Sequence, residues 1–170
     1  MARFGLWWCL LVLVLSSSPV HAQANGGGPF EAGPEATLLE AGRTQLWQLR
    51  LDQAESIFRD LAERPEGRAA AFHHLATVSY VKALISEEDL YYDQFFARSD
   101  SLLALLAGEP ETAWNHFWKA ESSLQRAMAW GRLEHMVRGA MAARTAYKLY
   151  DAAIEADPTL YDAYKGRGLF

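Results

Sequence analysis

The chain has 170 residues, 51 % of them hydrophobic and 22 % charged, with a formal net charge of −5. That length and apolar content suffice to bury the core of one domain. An acidic chain with no run of basic residues has nothing to follow a phosphate backbone, which disfavours nucleic-acid binding.

Residues 1–24 read as a signal peptide. Arg3 supplies the positive start, Phe4 to Leu15 an uncharged apolar stretch, and Ser16 to Ala24 a small, polar end. Ala22-Gln23-Ala24 and Val20-His21-Ala22 both fit a cleavage site, and the choice between them stays open. The apolar stretch falls well short of the ~20 residues a spanning helix needs. The expectation is therefore export to the periplasm, cell envelope or exterior of a bacterium, with no transmembrane span after cleavage. Cys9, the single cysteine, lies inside the apolar stretch behind Trp7 and Trp8. Once the segment is removed no disulfide can form, which fits a bacterial exported protein better than a small eukaryotic secreted domain. Asn25 to Pro34 (NGGGPFEAGP) is too rich in glycine and proline to hold a helix and reads as a linker. No strand precedes it and no Lys-Ser/Thr pair follows, so it does not read as a phosphate-binding loop.

Residues 35–170 form the predicted helical domain. Leu38, Leu39, Ala41, Gly42, Leu46 and Trp47 mark a first helix. After a turn near Leu49–Asp52, a second carries Ala54, Ile57, Phe58 and Leu61 and is closed by Pro65. A third runs from Gly67 to Leu84, with a break at Ser86. Glu87 to Leu106 is a fourth, punctuated by Gly108 and Pro110. Glu111 to about Arg138 predicts one long helix, with a break beginning at Gly139. In the next helix Ala146, Leu149, Tyr150, Ala153 and Ile154 share a face, and Pro158 stops it at Asp157. Thr159 is then placed to cap a final helix bearing Leu160, Ala163 and Tyr164. Period-two alternation is absent, so the fold class is all-α.

Ala54, Phe58, Leu61 and Pro65 repeat at nearly the spacing of Ala146, Tyr150, Ala153 and Pro158. Both sets resemble the second helix and turn of a tetratricopeptide repeat, and Tyr164 and Gly168 match positions of a following first helix. The resemblance covers Glu35–Glu66 and Ala127–Phe170 and is loose between them. The interval from Ala54 to Ala146 is not a multiple of the ~34-residue repeat. It implies an α-solenoid of antiparallel helix pairs, about three repeats plus the first helix of another. Because Tyr161–Phe170 opens a helix with no partner, the chain looks truncated at its C-terminus or completed by another subunit.

No motif for chemistry stands out. His73 and His74 are adjacent, so on a helix they point about 100° apart and cannot chelate one metal together. Glu87-Glu88-Asp89 reads as acids at a helix start, where the helix dipole favours them. Trp114, Phe117 and Trp118 read as core packing. No catalytic, cofactor or metal residues are assigned, and no cofactor is expected. The resemblance implies instead a non-enzymatic scaffold that binds a protein or peptide along first-helix residues. By repeat phase these are Leu39, Arg43 and Trp47, then His73, Thr77 and Tyr80, then His135 and Arg138, then Lys165. The alternatives are a helical hydrolase or lyase of the cell envelope, and a subunit ordered only within an envelope assembly.

Overall fold

A computed structural model describes residues 33–170. The signal-peptide reading and nearly all of the linker therefore lie outside the described residues. Within them the chain is all-helical, with no strand: α1 (Pro34–Trp47), α2 (Leu51–Ala62), α3 (Arg68–Ser86), α4 (Asp89–Ala107), α5 (Ala113–Arg132), α6 (Met136–Ala156) and α7 (Tyr161–Arg167).

Local chemistry sets several of these ends. Pro34 occupies the first helical position of α1, where its missing N–H is no loss. Thr112 caps α5, its Oγ1 accepting from the Asn115 N–H at 3.2 Å. Thr159 does not cap α7 as its position predicts. Its own N–H and hydroxyl instead donate to Asp157 Oδ1, at 2.8 and 2.7 Å, tying down the turn after Pro158. Three of the hairpin turns hinge on a non-glycine residue in the left-handed region: Leu49 (φ 56°), Glu87 (φ 58°) and Glu134 (φ 62°).

The turns at Leu49 and Glu134 are the same device. In each, the residue after the left-handed one donates five residues back, Arg50 to the Gln45 carbonyl and His135 to the Trp130 carbonyl, both at 2.9 Å. This is the Schellman closure of a helix C-terminus. It corrects the expected break at Gly139: α5 stops at Arg132, and Gly139 lies inside α6, buried. A Cβ at Gly139 would stand 3.2 Å from the Ala127 carbonyl oxygen. The glycine is there to let α6 cross close to α5, and it breaks nothing.

The correction exposes an asymmetry. Matched by their turns, α1–α2 and α5–α6 are 85 residues apart, whereas the alanine–aromatic motif in α2 and α6 is 92 apart. The extra seven residues are two helical turns. They lengthen α6 to 21 residues against 12 in α2 and carry the α5–α6 tip outward.

Each helix packs on the next, and α3 also touches α1 and α5. Helices α1, α3 and α5 thus share a layer, with α3 at its centre. Between Ala70 and Ala83 nearly every residue of α3 is buried, as expected of a helix lacking a polar face. One core cluster runs from Leu39, Phe58 and Leu61 through Val78, Leu102 and Trp118 to Tyr150 and Ala163. A smaller one gathers Ala76, Tyr80, Tyr92, Phe95 and Ala129. Two ring-on-glycine contacts recur at the ends of the array. A Cβ on Gly42 would lie 2.4 Å from the Phe58 ring, and one on Gly166 would lie 2.2 Å from the Tyr150 ring.

Gly139→Val is expected to destabilise the fold by about 1–3 kcal/mol through overpacking against the α5 backbone. The matched control is Gly131→Ala, where an added Cβ meets nothing within 4 Å. Urea unfolding measures both, and equal midpoints for the two variants would refute the close-crossing role of Gly139.

Candidate functional site

Of the nine residues expected to line a groove, the three on α3 are closed to solvent. On α1, Leu39 is buried, Arg43 half-buried and Trp47 exposed. On α3, His73, Thr77 and Tyr80 are all buried, because α1, α2, α4 and α5 enclose that helix. These three have no face to offer a partner. His135 and Arg138 are not on a first helix: His135 closes the α5–α6 turn and Arg138 sits in the first turn of α6. Both gather on Trp130, the His135 ring at 5.3 Å and the Arg138 guanidinium at 4.9 Å from its centroid. Lys165 is exposed on α7 and pairs with Asp162 at 2.7 Å.

The interior between α1, α3, α5 and α6 is polar without being open. The His74 ring stacks on Phe58 at 4.9 Å, and the His73 ring lies 5.3 Å from Trp118. Burial, reinforced by the Arg43 charge, pulls His73 down to about 3. Burial, then His73 and Arg43, holds His74 well below the usual histidine range. Both imidazoles are therefore neutral at ordinary pH. Nearby, Tyr150 donates its hydroxyl hydrogen to Glu121 Oε1 at 2.6 Å. Burial raises the Glu121 carboxyl, against the hydrogen bond from Tyr150. Gln125 Nε2 donates to the Thr77 hydroxyl at 2.8 Å, and Ser99 and Ser122 share a buried hydrogen bond of 2.8 Å. These contacts fix the register of α5 against α3 and α4, since a slipped helix would leave each group unsatisfied. Among the described residues, no three histidine, cysteine or acidic side chains gather to hold a metal ion.

What the fold leaves open is the α5–α6 tip. Ala127, Met128 and Gly131 of α5, with Met136, Gly139, Ala140 and Ala143 of α6, line a shallow groove of ≈ 330 Å³. At its edge Met136 is 64 % exposed, and on the adjoining outer face of α6 Val137 and Met141 are 75 % and 66 % exposed. Every methionine after Met1 is on this surface. The two added turns account for it: they carry the start of α6 to where α5 is its one substantial neighbour. Sequence reasoning missed the site because apolar residues at helical spacing read as core. The available signal was Met136 to Ala143 (MVRGAMAA), which is apolar around most of the helix yet interrupted by arginine.

No helix among the described residues is long and apolar enough to cross a membrane. Compared with known proteins, the chain matches no family model, no curated protein and no solved structure.

Proposed function

We propose that this chain is an exported, non-enzymatic helical scaffold of the tetratricopeptide type whose task is to bind a protein or peptide. The exposed apolar surface at the α5–α6 tip carries the reading. A folded monomer gains nothing by holding two methionines and a valine in water side by side, and such patches mark interaction sites. Methionine suits this use because its unbranched, polarisable side chain adapts to the shape it meets. The repeated ring-on-glycine contact and the shared layer of α1, α3 and α5 support the repeat-type architecture. Export rests on the residue pattern of positions 1–24. The partner would seat on the elongated tip and not along α3, whose surface is already occupied.

A photo-crosslinking residue placed at Met141 in the full-length chain, in its native cell, tests the reading. Discrete protein adducts are expected, absent when the same residue replaces exposed Glu63 at the C-terminal end of α2. The same adduct pattern from both positions would remove the support for a docking surface.

A further inference from the structure

The charge along the α5–α6 hairpin is opposite to that of the protein. Between positions 126 and 148 stand five cations, Arg126, Arg132, Arg138, Arg144 and Lys148, against the single acid Glu134, in a chain of net charge −5. Arg126 is paired with Asp100 at 2.5 Å. The other four make no ion pair among the described residues, although elsewhere in the chain most buried or half-buried cations have found a carboxylate. Arg132 follows a groove-lining glycine directly, and its Nε is enclosed with no acceptor. Arg144 follows the lining residue Ala143 and lies one helical turn beyond Ala140, while Arg138 covers the Trp130 face at the turn.

Shape narrows the occupant further. The groove lies between two neighbouring helices and is floored by small residues, Ala127, Gly131, Gly139 and Ala140, with methionines at its sides. Along α6 its lining runs from Met136 to Ala143, a rise of about 10 Å. That length matches two turns of a helix presenting an apolar stripe at i, i+3 or i+4, and i+7. From the groove and its charge together, and resting on the docking role proposed above, we infer that the partner presents an acidic amphipathic helix. Its apolar stripe fills the methionine–alanine groove, and its flanking carboxylates meet Arg132, Arg144 and Lys148. The basic rim sets orientation and raises the encounter rate, and the apolar groove holds the complex.

The test uses the full chain and model peptides of about 18 residues, five helical turns. One peptide has a leucine–alanine stripe with glutamate elsewhere, a second has lysine for every glutamate, and a third scrambles the first. Fluorescence anisotropy is expected to show the acidic helix binding about tenfold or more tighter than either control, and weakening with salt. Arg144→Glu with Lys148→Glu, both at exposed positions, should remove that preference and favour the lysine peptide. Met136→Glu, at the exposed edge of the groove, should weaken every peptide while leaving the helical circular dichroism unchanged. Equal affinity for the acidic and basic helices would overturn the inference. So would tighter binding to vesicles of anionic lipid than to the peptide, or a dimer of the chain that the same charge reversal dissolves. Discrete crosslinks from position 141 combined with indifference to peptide charge would leave the docking surface standing and discard only the acidic helix. Failure of both experiments would discard the surface itself.

Discussion

Glu55→Gln should lower the unfolding free energy by about 3 kcal/mol, more than any surface substitution in this chain. Glu55 joins three consecutive helices. From α2 it accepts Lys82 of α3 at 2.9 Å and Arg98 of α4 at 2.5 Å, with Arg59 of its own helix at 2.7 Å. Its side chain is 15 % exposed and those of Lys82 and Arg98 are 18 % and 20 %, so water screens these bonds weakly. Burial pushes the carboxyl up, and the hydrogen bonds from Arg59, Lys82 and Arg98 overturn this and hold it at about 2. Glutamine keeps the shape and removes the charge. Lys82 then retains Asp52 at 2.8 Å, and Arg98 retains the Leu75 carbonyl at 2.9 Å but loses its only carboxylate. Most of the damage therefore lies in one stranded guanidinium, and Arg98→Met in the Glu55→Gln background should recover part of it. The sign of the pH effect follows from the depressed carboxyl. Its contribution is complete above about pH 4.5 and disappears as pH falls toward about 2, so wild type and Glu55→Gln should converge over that window. Urea unfolding across pH checks this, and additive losses in the double variant would show that Glu55 and Arg98 are not coupled.

Nothing in the sequence singled out Glu55. It is one of 21 acidic residues, and its three cations come from 4, 27 and 43 positions away. Helix content was legible for the opposite reason, since it depends on spacing within a window. Ala54, Phe58 and Leu61 keep helical spacing and are fully buried, as are Ala146, Tyr150 and Ala153. The second, third and fourth helices end within a few residues of their proline, serine or glycine punctuation. The fifth boundary failed because Glu134 makes the left-handed turn while Gly139, the residue that signals one, was recruited to a helix crossing. One glycine can mean either, and only the neighbouring backbone decides.

For α3 the groove expectation rested on a borrowed phase. Placing His73, Thr77 and Tyr80 on an open surface took a repeat family's concave face for granted. Yet Arg68 to Ser86 holds only Lys82 as a charged residue after its first position. A helix with so little polar surface has to be covered on all sides. That much was readable from composition alone, without a fold. The α5–α6 tip was hidden for a complementary reason. Its apolar residues have the spacing of a buried face, and they are exposed because two extra turns carry them past their neighbours. Length differences between paired helices determine this, and they emerge only once the turns are placed.

The histidine pair should make the fold lose stability as pH falls from about 6.5, well before Glu55 protonates. An unfolded histidine takes up its proton near pH 6.5. His73 folded does so only at about 3, and His74 is likewise held far below its ordinary value by burial. Between these limits the unfolded state binds more protons, so stability rises with pH by about 1.4 kcal/mol per unit for each histidine. Arg43 of α1 works in the same direction, opposing a second positive charge on either ring. Glu121 of α5 works in the other direction. Its raised carboxyl keeps a proton in the folded state that the unfolded chain has released, so its contribution is lost as pH rises from about 4.5. His74→Phe keeps the aromatic stack on Phe58 and deletes one titration, so it should reduce the slope of unfolding free energy between pH 4.5 and 6.5 by about one proton's worth. Glu121→Gln should steepen it. Denaturant unfolding at half-unit pH intervals reads both slopes, and a His74→Phe curve parallel to wild type would mean that His74 does protonate inside the fold. With a total stability in the usual range of about 5–15 kcal/mol, two buried neutral imidazoles are enough to set the acid limit of this domain. A histidine pair whose adjacency already argued against chelating one metal thereby acquires a thermodynamic consequence that does not depend on any ligand.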